Sequence, residues 1–191
     1  MNRALFLIAF VVFPVTNSWA RTFFTGEVGY LTLRQAPALE NRVSPRGPSF
    51  GGGLGFRQQY YEFEAKFLSS TAEDDVIHDD QKNTMVHEQK SYLLGFNFYL
   101  TKSIYLRAGY GMTRVNQTLK KEVSAASEAG AKKSYGLAEN KVTDGPLFGG
   151  GFVFLDRRSL LLYTQLEYMS FASLKGGAWN ASLGFRFYFG K

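Results

Sequence analysis

The stretch Trp179-Asn180-Ala181-Ser182-Leu183-Gly184-Phe185-Arg186-Phe187-Tyr188-Phe189 decides the fold. Trp179, Ala181, Leu183, Phe185, Phe187 and Phe189 share one parity. Asn180, Ser182, Gly184, Arg186 and Tyr188 share the other. Successive side chains of a strand point to opposite faces, so the two sets lie on opposite sides of a sheet. Apolar residues do not recur at i, i+3 and i+4, which rejects a helix. A soluble barrel would turn the apolar set toward a core. Here the other set carries charge and glycine, which suits a narrow polar lumen and leaves the aromatic set for lipid.

Working outward, the same rhythm recurs in seven earlier segments. It predicts strands over about 22–33, 49–58, 59–69, 89–100, 103–115, 142–155 and 159–171. Each meets the roughly 9–11 residues that a tilted transmembrane strand needs. The lipid-facing residues read from the middle of these segments, Tyr92 to Phe98, Ile104 to Met112 and Phe148 to Phe154 among them, include no Asp, Glu, Lys or Arg. A charge there would cost about 2–4 kcal/mol at the bilayer midplane. The inward parity holds Glu27, Glu62, Glu64 and Glu167 against Arg57, Lys66, Arg107 and Arg186. Taking charges out of water costs several kcal/mol each unless they are paired. Salt bridges are therefore expected in the lumen, with Arg57 equally suited to a wet barrel end. The triplets Gly51–Gly53 and Gly149–Gly151 continue the alternation. They are read as sites of strong curvature or of close packing by a neighbouring ring.

The connections alternate in length. Those near Gln58-Gln59, Thr101-Lys102 and Asp156-Arg157-Arg158 are tight. Those over 34–48, 71–88, 116–141 and 172–177 are longer and polar. Short turns on one rim and long loops on the other are the arrangement of outer-membrane barrels, with the long loops outside the cell. Composition leaves open whether 122–133 is a short helix or a mobile segment. Lipid offers no hydrogen-bond partner, so a sheet in a bilayer has to close on itself. Eight strands make an interior just wide enough for side chains to fill. The expected fold class is thus all-β, an eight-stranded antiparallel up-and-down transmembrane barrel.

Asn2-Arg3, an apolar run from Ala4 to Val15, and small residues at Ser18 and Ala20 read as a cleaved export signal over 1–20. The run is too short to span a bilayer as a helix. Residues 21–191 then form one barrel domain. There is no Cys, hence no disulfide and no lipidated cysteine. The formal charge of +6 is spread along the chain, and an exported chain with scattered basic residues is no nucleic-acid binder. The mixture of 20 Gly, 11 Tyr and 18 Phe suits a curved sheet with an aromatic exterior. Tyr92, Tyr110, Tyr168 and Trp179 are candidates for its interfacial girdle.

In strand pattern, loop alternation and the closing segment 181–189, the chain resembles the small eight-stranded outer-membrane barrels, the OmpA/OmpX-like group. The resemblance covers all of 21–191. It implies residence in the outer membrane of a Gram-negative cell. It also implies as partners outer-membrane lipid and lipopolysaccharide, periplasmic chaperones and the barrel-insertion machinery. Phe185, Phe187 and Phe189 look like the C-terminal insertion signal of that group, which usually ends on an aromatic residue. Here Gly190 and Lys191 follow. The resemblance points to no single functional subfamily.

Signals for chemistry are sparse. Lipid A deacylases of similar build carry His-x-Ser on a strand, whereas His78 and His87 both fall in the second long connection without that Ser. A Ser nucleophile needs a base within hydrogen-bond reach, and Ser69 or Ser70 would be the nearest choices. Glu73, Asp74, Asp75, Asp79, Asp80 and Glu88 stand against Lys82 in the same connection. Such density suits Ca²⁺ or Mg²⁺, with His78 as a further ligand, but the spacing does not match an EF-hand loop. The expectation is a solvated, repulsive loop with no metal and no cofactor. The connections 34–48 and 116–141 are net basic, a charge suited to lipopolysaccharide phosphates. The reading that emerges is a non-enzymatic barrel with a filled lumen and a structural or surface-interaction role, its loops available to an unidentified extracellular ligand. The alternatives are a narrow small-solute channel and, further off, a lipid A-modifying enzyme.

Overall fold

The computed structural model describes residues 20–34, 46–78, 81–121, 135–171 and 176–189. The expected signal segment lies outside the described residues. So do much of the first, third and fourth long connections, Asp79, Asp80, Gly190, Lys191 and the side chains of Asp75, His78 and Lys82. Whether 122–133 is helical falls outside them too.

Eight strands follow one another: β1 (Arg21–Arg34), β2 (Arg46–Gln58), β3 (Tyr61–His78), β4 (Gln81–Tyr99), β5 (Ile104–Lys121), β6 (Tyr135–Asp156), β7 (Leu160–Phe171) and β8 (Gly176–Phe189). Each pairs antiparallel with its sequence neighbours, and β1 pairs with β8 from Thr22↔Phe189 to Arg34↔Gly177, closing the barrel. Closure satisfies every ladder that would otherwise end in lipid. The parity read from sequence holds on all eight strands. Phe24, Phe50, Tyr92, Leu106, Phe148, Leu166 and Phe187 are exposed, while Glu27, Lys66, Asn97, Arg107, Gln165 and Arg186 are buried.

The tight turns lie on one rim. Tyr99 N donates to Tyr60 O at 2.8 Å, and Arg157 N donates to Leu160 O at 2.8 Å. Thr101 Oγ1 accepts from Ser103 N at 3.2 Å and Ile104 N at 3.0 Å, a side chain standing in for a backbone turn acceptor.

The second long connection differs from expectation. β3 and β4 stay paired out to His78↔Gln81, so most of 71–88 is a regular hairpin rather than a loop. β5 and β6 likewise extend to Lys120↔Tyr135, past a bulge between Gln117 and Leu119. Beyond the apolar band both faces of a strand meet polar surroundings. The alternation stops there, although the backbone ladder does not.

β3–β6 therefore rise together above the rim as a four-stranded sheet, and a proline stands where it separates from β7. β6 leaves β7 after Leu147↔Met169. Val153 N donates to Ser103 O, so strand alternation aims the amides of Gly151, Gly149 and Leu147 at β5 and turns the Pro146 nitrogen toward β7. Proline has no N–H to offer there, and the ladder ends at that point. On the other side the β2–β3 pairing skips from Ser49↔Ser70 to Arg46↔Glu73, passing over Gly47 and Pro48.

Candidate functional site: the barrel interior and its outer rim

The interior has three layers. At the tight-turn end lie Phe23, Tyr99, Tyr105, Val153, Leu161, Tyr163 and Tyr188. At the hairpin end lie Leu31, Leu33, Leu68, Ala72, Leu93, Val115, Leu147, Met169, Phe171 and Ala178. Between them sit the charges. Within the narrow polar lumen expected from sequence, aliphatic residues on the inward parity close the hairpin end.

The eight inward charges form one connected network with neutral side chains. Lys66 Nζ lies 2.8 Å from Glu27 Oε1 and 3.1 Å from Glu167 Oε1. Arg107 Nη1 donates to Glu64 Oε2 at 2.7 Å and to Asn97 Oδ1 at 2.9 Å, and Arg107 Nε lies 3.2 Å from Glu167 Oε2. Arg186 Nη1 lies 3.1 Å from Glu62 Oε2, and its guanidinium stacks 4.2 Å from the Tyr163 ring centroid. Glu62 also accepts from Asn97 Nδ2 at 3.1 Å and Tyr188 OH at 3.0 Å. Glu167 accepts from Gln165 Nε2 at 2.7 Å and Asn180 Nδ2 at 3.2 Å.

Arg57 is the outlier. Its side chain is 16% exposed where the other three cations are at 0%. It reaches Asp156 Oδ2 at 3.3 Å and stands 3.8 Å from Glu62 Oε1, at the wet end of the network.

Inward glycines let these groups meet. Gly149 lies in register between Arg107 and Glu167, and that pair closes over it. Gly151 lies between Tyr105 and Gln165, whose hydroxyl and amide oxygen meet at 2.9 Å. Gly184 lies between Glu27 and Tyr163, which meet at 3.3 Å. A Cβ on Gly151 would fall on the Tyr105 ring, and one on Gly184 on the Tyr163 ring. The ring-packing reading of 149–151 is thus realised at Gly151.

His87 lies opposite Ala72 on the inner face, buried, with Ser70 and Asp74 one inward step to either side on β3. Ser70 Oγ has no hydrogen-bond partner, so no nucleophile–base bond joins it to His87. No cluster of three metal-ligating side chains occurs among the described residues. Of the girdle candidates, Tyr168 and Trp179 pack at 5.0 Å between centroids, and Tyr92 and Tyr110 stand exposed. Phe185, Phe187 and Phe189 project outward along the β1–β8 seam.

No protein-family model and no curated protein match the chain. Solved structures do. Ail, the attachment invasion locus protein of Yersinia pestis, superposes with a TM-score of 0.52 at 13% identity, over 87% of this chain and 98% of Ail. The fold is that of the small eight-stranded outer-membrane barrels. Neisserial surface protein A, a second such barrel, superposes with a TM-score of 0.51 at 12% identity, over 88% of this chain and 97% of that one. Ail has also been solved in complex with the heparin analogue sucrose octasulfate. At these identities the likeness is one of architecture.

Proposed function

We propose that this chain is an outer-membrane barrel with a structural and surface-interaction role and no enzymatic one. The observation that carries the reading is the pairing of a closed sheet, with an apolar outer band on every strand, with an interior stoppered by aliphatic side chains above a connected network of ion pairs. Such a body anchors; it does not conduct. Its working parts are then the segments it holds outside the cell. Those over 34–48 and 116–141 are net basic, which suits lipopolysaccharide or another polyanion, the class of ligand with which Ail was solved. Export through a cleaved 1–20 segment and insertion through Phe185, Phe187 and Phe189 belong to the same reading.

The test has two parts. Unboiled protein from outer-membrane fractions should run faster in SDS gels than boiled protein, as a closed, detergent-resistant sheet does. In planar bilayers it should show no steady ohmic conductance. A soluble periplasmic protein without a mobility shift would overturn the membrane reading, and a large, stable conductance would favour the channel.

A further inference from the structure

Above the aromatic band the outward face of the hairpins turns polar, and it begins with two cations side by side. Lys90 on β4 and Arg114 on β5 are direct cross-strand partners. Both are exposed on the lipid-facing parity. One step nearer the membrane centre on that face stand Tyr92 and Met112, also cross-strand partners and also exposed. One step further out stand Glu88 and Asn116. The two cations therefore mark the depth at which hydrocarbon gives way to headgroups.

Like charges directly opposite each other across two strands repel and destabilise the pairing. Among the described residues neither cation has a carboxylate within ion-pair distance. The two nearest outward acids are engaged elsewhere: Asp144 Oδ2 accepts from Tyr110 OH at 2.7 Å, and Glu88 Oε2 stands 3.5 Å from Asn116 Nδ2. Arg114 Nε donates to Asn140 Oδ1 at 3.1 Å, which holds the guanidinium plane and leaves both terminal nitrogens for a further acceptor. A planar fork beside a compact ammonium is the donor set that a phosphate takes.

We propose that Lys90 and Arg114 together clamp a headgroup phosphate of an outer-leaflet lipid against the barrel wall. The inference rests on the membrane placement proposed above. An anionic lipid surface is worth roughly a factor of five to six in affinity per basic residue, so two residues acting together account for about thirtyfold.

The test uses the full mature chain in phosphatidylcholine nanodiscs doped with bisphosphorylated lipid A. Bound lipid is counted by native mass spectrometry after release into mild detergent. Wild-type protein should retain lipid A over phosphatidylcholine, and the double variant Lys90→Gln/Arg114→Gln should lower that retention about thirtyfold. Lys102→Gln, on the tight-turn rim, should leave it unchanged, and millimolar inorganic phosphate should not displace the lipid. Equal retention by the double variant, equal loss in Lys102→Gln, or displacement by inorganic phosphate would each overturn the proposal. The gel-mobility shift is recorded on the same samples. A double variant that keeps the shift and its lipid defeats the clamp alone, whereas wild-type protein that never inserts defeats the membrane reading beneath it.

Discussion

Lys66 is the hub of the interior. Its ammonium is shared by Glu27 from β1 and Glu167 from β7. Removing one partner of a buried pair leaves an uncompensated charge, which costs about 3–5 kcal/mol. Lys66→Met strands two carboxylates, so its unfolding midpoint in denaturant should drop by an amount in or above that range. The paired change Lys66→Met/Glu167→Gln should recover part of the loss. Equilibrium unfolding of the three proteins in lipid vesicles checks both statements, and a silent Lys66→Met would show that the network contributes nothing to stability.

His87 is buried on the inner face of the hairpin above the membrane, where neighbouring outward residues Glu88 and Lys90 are already polar. Burial pushes its imidazole pKa down from the ordinary 6.5 to about 4. The sign follows: between pH 6.5 and 4 the unfolded hairpin takes up a proton that the folded one refuses. Hairpin stability should then be level above pH 6.5 and fall as the pH drops toward 4, by at most about 3 kcal/mol. Amide exchange across 84–89 at pH 7 and pH 4.5 measures this, with His87→Gln expected to flatten the difference. Equal loss of protection in both proteins would assign the effect to the hairpin carboxylates instead.

At the scale of elements, the β3–β4 hairpin is built on a ladder that runs past the membrane without needing it. Shortening it by deleting 75–82 and rejoining the strands with a two-residue turn should leave the gel-mobility shift intact, because the ladders that close the barrel lie below the cut. Loss of the shift would show that the hairpin helps to hold the barrel shut.

Strand existence and facing were legible in the sequence, because a membrane punishes any slip of parity. Strand length was not, since residues 73–76 and 116–119 carry no apolar–polar alternation in the sequence. The inward charges were legible as a set, but their pairings were not. Lys66 meets Glu27 across β2, and Arg107 meets Glu167 across β6, so the partners follow from strand order and register. A signal for them did exist: the inward glycines Gly51, Gly53, Gly149 and Gly184 are where a neighbour on either side needs the space. The aliphatic stopper of Leu31, Leu68, Leu93 and Leu147 sat on the parity taken as polar, because eight-stranded interiors accept either kind of side chain so long as they are filled.

At the scale of the whole molecule, the layers favour the proposed anchor over a pore. A charge network alone can rearrange, as alternative pairs of similar energy exchange partners. Aliphatic side chains packed against one another across the bore have no such alternative and exclude water by contact. The barrel is therefore closed twice, once by charge and once by shape.

The unequal strands have a consequence for how such molecules sit beside one another. β6 runs for 22 residues and β7 for 12, with Pro146 at the step between them. Among the described residues the raised sheet thus stands over one flank of the cylinder, while β7, β8 and β1 end lower. In a crowded leaflet a bulky neighbour meets a tall fence of strands on the first flank and shorter strands on the second. Lateral traffic around the molecule would have a preferred side of approach, although the bilayer itself supplies no such direction.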